Sequence, residues 1–303
     1  MKLVLTAAIA GLCLAAPPLS EIVIHADRVF PESVTSTSDG SIIVGSVAKH
    51  MIFRAAPGAA VAEPWIASGT NGLAEVLGVF ADDRANTLWV CSTNMSGQGE
   101  PTALKSFDLK TGAAKGSYPF PGPKSVCNDI AVGPDGTAYV TDTANPRILK
   151  VRPGATALEL WLTDDRFDSL DGIAFGNDTT LYVNTVRSGH LFRVAMGREG
   201  APGAVTQLEV SSELAKPDGM RSIGNNRLLL AEGGAGRVDL ITFEGDKAVI
   251  HMLKDGFNGS TAITRVGNAA WVLEAKSSFM MDPKLKDQDP GPFKLYAVAL
   301  PPK

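Results

Sequence analysis

Residues 125–143 read SVCNDIAVGPDGTAYVTDT and predict two antiparallel strands joined by a tight turn. Apolar residues alternate on either side of the Pro-Asp-Gly turn at 134–136, which is the pattern of a β-hairpin. The pair Asn128-Asp129 is unusual at the start of such a strand, because both side chains are polar and able to bind a cation. The other copies of this segment along the chain indicate that Asn128 is the cation-binding residue of the pair. Asp129 is expected to support Asn128 locally.

The second strand of this hairpin recurs along the chain. Its copies are centred on Ile43, Trp89, Tyr139, Tyr182, Leu229 and Trp271. Successive centres are 46, 50, 43, 47 and 42 residues apart, and a third strand follows each copy. Helical periodicity is hard to find. Repeats of this length made only of strands are typical of propeller blades, so we predict an all-β chain folded as a six-bladed β-propeller.

The chain has 303 residues and begins with MKLVLTAAIAGLCLAAPPLS, where one lysine precedes an apolar run that ends in small residues. This pattern predicts a signal peptide over residues 1–16, and therefore a periplasmic or secreted protein. Residues 17–303 then form a single propeller domain. We expect its last blade to take a fourth strand from residues 21–25, because that pairing would close the ring and protect an edge.

Composition narrows the range of partners. A formal net charge of −4 argues against nucleic acid, and no later segment is apolar for long enough to span a bilayer. We expect a monomer that acts on a small molecule. Beyond the signal peptide the cysteines are Cys91 and Cys127, both expected near one face of the ring. Two buried thiols are the favoured interpretation, and a disulfide is the alternative in an oxidising compartment.

A fixed register within the repeat selects candidate metal ligands. Eleven residues before the six centres lie Glu32, Gly78, Asn128, Asp171, Asp218 and Ser260. This position begins the first strand of each blade, which lies nearest to the propeller axis, so the six residues should face one another. Three carboxylates and one carboxamide would repel there unless a cation neutralised them. The alternative is that these residues merely cap strand ends.

Oxygen ligands of this kind suit one divalent cation, with Ca²⁺ favoured. Mg²⁺ and Mn²⁺ are alternatives, and Zn²⁺ is a lesser one because the ring of candidate ligands has neither His nor Cys.

Four segments around these residues carry a family resemblance. They are PES at 31–33, CNDIAVGPDG at 127–136, LDGIAFGND at 170–178 and KPDGM at 216–220. They resemble the senescence marker protein/gluconolactonase family of six-bladed propellers, to which luciferin-regenerating enzymes are related. The resemblance implies one divalent metal held by Glu32, Asn128, Asp171 and Asp218. It also implies hydrolysis of a lactone or related ester.

The sequence departs from that family at two positions. Asp171 stands where the family has Asn, which makes the site more anionic and should favour tighter cation binding. Val126 stands where sugar lactonases use Arg to hold the sugar. The family's chemistry can therefore carry over while its sugar preference does not.

The resemblance also implies roles beside the metal. Asp218 is the candidate catalytic residue that activates water, and Asn128 is expected to contact substrate as well. Asp142 and Glu232 lie three residues past the centres of their second strands, where the chain returns to the same face, so they are substrate-binding candidates. His190 begins a third strand and is a further one. A structural role is the alternative for these last three residues.

Insertions at 94–102 and 275–292 lengthen two loops on this face and are expected to control substrate entry. In the second insertion, Phe279-Met280-Met281 would form either an apolar lid or a packed structural cluster. The leading interpretation is an exported, metal-dependent hydrolase of lactones or esters. The alternative is a non-catalytic propeller that binds a ligand or a protein, in which the cation serves structure only.

Overall fold

The computed structural model describes residues 19–97, 99–122, 124–176 and 180–302. The predicted signal peptide lies outside the described residues, as do positions 177 and 178 at the end of the LDGIAFGND segment. Strands dominate the described chain, which also has one short α-helix, α1 (Ser278–Met281), and two 3₁₀ turns at Thr70–Gly72 and Arg198–Gly200. Within these ranges no helix is long and apolar enough to cross a membrane.

The strands form six blades of four. The chain starts with β1 (Glu21–Ile24), which belongs to the sixth blade. The first blade is β2 (Pro31–Ser36), β3 (Ile42–Ser46), β4 (Met51–Ala55) and β5 (Val61–Ile66). The second is β6 (Glu75–Asp82), β7 (Thr87–Thr93), β8 (Ala103–Asp108) and β9 (Ala114–Pro119). The third is β10 (Cys127–Val132), β11 (Ala138–Asp142), β12 (Arg147–Val151) and β13 (Glu159–Thr163).

The second half of the chain continues the pattern. The fourth blade is β14 (Leu170–Phe175), β15 (Leu181–Thr185), β16 (Leu191–Met196) and β17 (Pro202–Gln207). A short strand, β18 (Glu209–Val210), leads to the fifth blade of β19 (Pro217–Ser222), β20 (Leu228–Glu232), β21 (Arg237–Glu244) and β22 (Lys247–Lys254). The sixth is β23 (Ser260–Val266), β24 (Ala269–Glu274) and β25 (Lys294–Ala299), completed by β1.

The first strands of the blades surround the axis. Each contacts the first strand of the next blade, and β2 contacts β23, so the ring is closed. Strands β3, β11, β15 and β20 are buried at every residue, because each lies between two neighbouring blades. The prediction of an all-β, six-bladed propeller is confirmed.

Ring closure follows the predicted route. Strand β1 pairs antiparallel with β25, with Glu21 opposite Tyr296. It also pairs in parallel with β5, with Val23 opposite Val61, and so merges the first and sixth blades into one eight-stranded sheet. The parallel pairing was not predicted, because contact between two blade edges uses backbone groups that leave no pattern in the sequence.

A β-bulge interrupts the first strand of the blades at the register selected above. In β2, pairing is regular at Pro31 and again from Val34, and Glu32 stands in the interruption. Strands β6, β10, β14 and β19 have the same two-residue interruption. Bulges increase local twist and re-aim side chains. In β2, β10, β14 and β19 they therefore turn Glu32, Asn128, Asp171 and Asp218 out of the ladder and towards the axis.

Candidate metal centre

Three carboxylates from three blades converge at the axis. Ligand oxygens of Glu32, Asp171 and Asp218 all lie within 4.8 Å of one another. Asn128 joins them from a fourth blade, because its Nδ2 donates to Asp171 Oδ2 at 2.9 Å and to Thr143 Oγ1 at 2.7 Å. The structure thus brings together the four residues predicted as metal ligands, which we call the acidic cluster.

Burial and mutual repulsion disfavour the ionised forms of the acidic cluster. The pKa of Asp171, which is 5% exposed, is raised to about 8, first by burial and then by the nearby Asp129 carboxylate. Burial, followed by the charge of Asp171, also raises the pKa of both Glu32 and Asp218. These shifts indicate a site of concentrated negative charge that a cation would relieve.

The donors of the acidic cluster fit a hard divalent cation. Asp171 Oδ1 is buried and has no hydrogen-bond partner among the described residues. The side-chain amide nitrogen of Asn128 donates to Asp171 and Thr143. The side-chain oxygen, Oδ1, is therefore left to bind a cation. Carboxylate and carbonyl oxygens without His or Cys suit Ca²⁺ best. Cation binding itself stays a prediction.

The other two positions of this register carry no ligand. A Cβ on Gly78 would lie 2.1 Å from the carbonyl oxygen of Asn128, so the neighbouring strand leaves no room for a side chain. Ser260 Oγ lies within hydrogen-bond distance of the carbonyl oxygens of Glu232 and Arg237, at 3.1 and 2.9 Å, and donates its single hydrogen between them. Both residues hold adjacent blades together.

Second strands support the bulges of the next blade. Thr141 Oγ1 donates to the carbonyl oxygen of Asp171 at 2.8 Å, and Asn184 Nδ2 donates to that of Asp218 at 2.7 Å. Thr141 and Asn184 each stand two residues past the centre of a second strand. This position therefore links one blade to the strand of the next blade that carries a residue of the acidic cluster.

Cys91 occupies the equivalent position in the second blade and forms a disulfide with Cys127, with their Cα atoms 5.1 Å apart. The favoured expectation of two buried thiols is therefore wrong, and the alternative is what the structure contains. The physical reason is the register, because position 91 lies against the start of β10. The bond anchors that strand one residue before Asn128.

Asp142 and Glu232 do not lie open to a substrate. Both are 0% exposed, and their oxygens are occupied by protein donors. Asp142 accepts the Arg147 Nε–H at 2.9 Å and a backbone N–H of the loop that enters β10 at 3.0 Å. Glu232 accepts the Arg237 Nε–H at 2.7 Å and a backbone N–H of the loop that enters β19. The substrate-binding interpretation is corrected to the structural one, in which each acid fixes the loop before its own blade.

His190 is half-buried immediately before β16, and its ring packs edge-on against Phe192 with centroids 5.9 Å apart. Its backbone N–H donates to Thr185 Oγ1 at 3.2 Å. Within the part of the chain that the structure describes, no hydrogen bond joins its ring to the acidic cluster. Substrate binding by His190 stays a prediction.

The residues of the apolar cluster at 279–281, expected to form either a lid or a packed structural cluster, differ in their surroundings. Phe279 packs against the core shared by the first and sixth blades, and its carbonyl oxygen accepts Arg28 Nη2–H at 3.3 Å. Met281 is 76% exposed. One end of the cluster is therefore structural, and the other faces solvent.

Sequence reasoning missed Arg221, which fills the axis next to the acidic cluster. Its Nη1 donates to both carboxylate oxygens of Asp129, at 3.0 and 2.8 Å, and its Nη2 donates to the carbonyl oxygen of Val79 at 3.0 Å. Arg221 and Asp129 are 7% and 3% exposed. Asp129 therefore pairs with Arg221 across the ring. A lone basic residue three positions after Asp218 was the feature of the sequence that could have revealed it.

No family model matches the sequence, and no curated protein is significantly similar to it. Solved structures do match. A gluconolactonase from Xanthomonas campestris is 14% identical, with 91% of this chain and 89% of that one covered and a TM-score of 0.64. Regucalcin from Agrobacterium tumefaciens, a calcium-binding protein, is 18% identical, with 92% and 97% covered and a TM-score of 0.64.

The chain shares their propeller fold. Both neighbours belong to the group of propellers that the four sequence segments resemble. Virginiamycin B lyase from Staphylococcus aureus matches as well, at 14% identity with 93% and 98% covered and a TM-score of 0.62. At these identities the likeness extends to the fold alone, and propellers of one fold carry different activities. Function has to be argued from the residues of the site.

Proposed function

We propose that this protein is an exported, divalent-metal-dependent hydrolase of a lactone or a related carboxylic ester. The observation that carries the proposal is the convergence of Glu32, Asp171 and Asp218 around a buried carboxylate oxygen that no donor of the described protein satisfies. The fold, shared with a gluconolactonase and with a calcium-binding protein, supports it.

Glu32, Asn128, Asp171 and Asp218 would hold the cation. When bound there, a divalent cation supplies Lewis-acid polarisation of an ester carbonyl and stabilises the negative charge that develops on its oxygen. Asn128 is fixed by its two donated hydrogen bonds, so its carbonyl oxygen keeps one orientation. Asp218 is oriented by the N–H of Gly219, which donates to its Oδ1 at 2.9 Å. We assign to the other oxygen, Oδ2, the acceptance of the proton of the attacking water.

Chelator-sensitive turnover tests the activity. Purified protein should hydrolyse at least one member of a panel of aldonolactones, alkyl lactones and simple esters. Activity should disappear with EDTA and return with added Ca²⁺. If no member of the panel shows turnover that EDTA abolishes, the hydrolase proposal fails.

Metal content tests the site separately. Asp218→Asn keeps the shape of the side chain but removes its charge, so bound Ca²⁺ measured by calorimetry and elemental analysis should fall at least tenfold. Asp168→Asn is the matched control, because Asp168 lies three residues before Asp171 and accepts from Ser188 Oγ instead of joining the cluster. Unchanged Ca²⁺ affinity in Asp218→Asn would refute the assignment of the ligands. Full Ca²⁺ binding without any turnover would favour the non-catalytic alternative.

Export is the remaining part of the proposal. The Cys91–Cys127 disulfide supports it, because such bonds persist in oxidising compartments. Expression in the native host followed by intact-mass analysis should find a processed chain outside the cytoplasm. A full-length chain confined to the cytoplasm, with free thiols, would contradict it.

A further inference from the structure

We propose that a second subsite beside the acidic cluster takes an apolar alkyl or aryl substituent of the substrate, and this inference rests on the proposed hydrolase function. A cavity of about 530 Å³ lies between the 94–102 insertion and the loop that enters β10. Its wall includes Met95, Pro101, Phe120, Val126 and Ala144.

Hydrogen bonds link residues of the cavity wall to the acidic cluster. Val126 lies two residues before Asn128, and its carbonyl oxygen accepts the Thr143 N–H at 2.9 Å. Thr143 Oγ1 in turn accepts from Asn128 Nδ2, which also donates to Asp171. Ala144, on the same wall, directly follows Thr143. A substrate with its carbonyl at the cluster would therefore place a neighbouring substituent in the cavity.

Polar side chains around the cavity are occupied by the protein itself. Thr102 Oγ1 donates to the carbonyl oxygen of Ser125 at 2.9 Å and accepts the Asn94 N–H at 3.1 Å. Ser125 Oγ accepts from Arg147 Nη2 at 3.0 Å. Asn94 Nδ2 donates to a carbonyl oxygen of its own loop at 2.9 Å. What remains to face a ligand is mainly apolar, with Lys124 as the charged lining residue among those described.

This wall favours hydrocarbon over a polyol. Burying a sugar hydroxyl without a partner is unfavourable, whereas each buried methylene improves binding by about three- to fourfold. Val126 stands at the position where the resemblance would put the sugar-holding Arg, and here it lines the cavity. The substrate class is therefore a lactone or ester with an apolar side chain.

A series of lactones with side chains of increasing length tests the subsite. For unsubstituted, propyl, pentyl and heptyl δ-lactones, kcat/KM should rise by about threefold per methylene until the cavity is full. Glucono-δ-lactone, which carries hydroxyl groups in place of an alkyl chain, should have a lower kcat/KM than the alkyl δ-lactones. A flat response to chain length, with chelator-sensitive turnover intact, would overturn the subsite and leave the proposed function standing.

Two substitutions should abolish the dependence on chain length. Ala144→Trp fills the cavity from an exposed position, and Val126→Arg introduces a long cation, so kcat/KM should vary less than twofold across the series. Ala113→Trp is the matched control, because Ala113 is exposed in the β8–β9 turn, away from the cavity. If Ala144→Trp keeps the wild-type dependence, the cavity is not the subsite.

Measuring the binding of the same lactones distinguishes failure of the proposed hydrolase function from failure of the apolar subsite. If no lactone is turned over, the proposed function fails, and calorimetric titration of the series still measures the cavity. Affinity that rises with chain length and is lost in Ala144→Trp would support the apolar site on its own. Affinity independent of chain length would overturn it.

Discussion

Arg221, in the fifth blade, donates hydrogen bonds to residues of the first, second and third blades beside the acidic cluster. Among the carboxylates, it forms its ion pair with Asp129. Removing one partner of a buried ion pair leaves the other charge uncompensated, which costs about 3–5 kcal/mol. Arg221→Met should therefore lower the free energy of unfolding by about that amount, measured by urea denaturation.

Two further variants make this experiment specific. Arg84→Met, with a side chain 60% exposed, should cost less than about 1 kcal/mol. Adding Asp129→Asn to Arg221→Met should recover part of the loss, because the stranded carboxylate becomes neutral. Equal losses at Arg84 and Arg221 would show that the central pair has no special role.

Asp239 makes stability depend on pH. It is 0% exposed at the start of β21, and burial, followed by the neighbouring Glu232, raises its pKa to about 8. An unfolded Asp titrates near 3.9, so between about pH 4 and 8 the folded state holds a proton that the unfolded state has lost. This contribution to stability is complete below pH 4 and is lost as the pH rises through 8.

Asp239→Asn should remove this pH dependence, because the amide stays neutral. Urea unfolding at pH 6 and pH 9, with saturating Ca²⁺ to hold the acidic cluster in one state, should show a steeper decline in the wild type than in Asp239→Asn. Asp246→Asn, with a side chain 67% exposed, should follow the wild type. Parallel curves for wild type and Asp239→Asn would contradict the assignment.

Residues that repeat in register were predictable, and residues that act through neighbouring blades were not. The four residues of the acidic cluster share one position of the repeat, so spacing alone brought them together. Asp142 and Glu232 also share a position, and each pairs inside its own blade with an arginine five residues later, Arg147 and Arg237. The repeat contains these pairs, but it does not show that they bury the acids. The disulfide follows from how one blade lies against the next, and spacing within a blade does not show that.

At the scale of the element, the bulge in the first strands is what makes the site. The alternation of apolar residues predicted each strand, but it could not show that pairing skips residues between Cys127 and Ile130. A regular strand would send adjacent side chains to opposite faces of the blade. The bulge instead directs Asn128 to the acidic cluster and Asp129 to Arg221, both on the axis.

Glycine beside a ligand permits the close approach of neighbouring bulges. A Cβ on Gly172 would lie 2.3 Å from the carbonyl oxygen of Asp218, so Gly172→Ala must push β14 away from β19. We expect Ca²⁺ affinity to fall at least tenfold, because Asp171 moves with its strand, and the melting temperature to drop. Calorimetry and thermal unfolding measure the two effects.

Gly233→Ala is the control for that substitution. Gly233 also lies beside the acidic cluster, but a Cβ there would meet its two nearest neighbours, the Ser260 carbonyl oxygen and Asp218 Oδ2, at ordinary distances of 3.6 and 3.7 Å. Its Ca²⁺ affinity should stay within about twofold of wild type. If Gly172→Ala binds Ca²⁺ as well as Gly233→Ala, the packing of the bulges does not set the geometry of the cluster.

At the scale of the whole molecule, the ring is closed by a strand from the other end of the chain. The sequence predicted that the last blade would borrow residues 21–25, because its own segment ends after three strands. The structure adds the parallel pairing of β1 with β5, so one strand joins the first and sixth blades on both of its edges. The acidic cluster spans blades one, three, four and five, and its geometry therefore depends on this closure.

Alternate residues of β1 give a direct test of closure. Ile22 is 3% exposed and packs in the core shared by the first and sixth blades, whereas Val23 is half-buried on the opposite side of the strand. Ile22→Asn removes apolar burial and introduces an amide without a partner, so the free energy of unfolding should fall by about 3 kcal/mol or more. Val23→Asn should lower it by less than about 1 kcal/mol.

Closure of the ring should also affect Ca²⁺ binding. Because loosening the closure lets blade one move, and Glu32 lies on that blade, Ile22→Asn should weaken Ca²⁺ binding, which calorimetry measures. If both substitutions change the free energy of unfolding and the Ca²⁺ affinity equally, β1 packs on the ring without stabilising its closure.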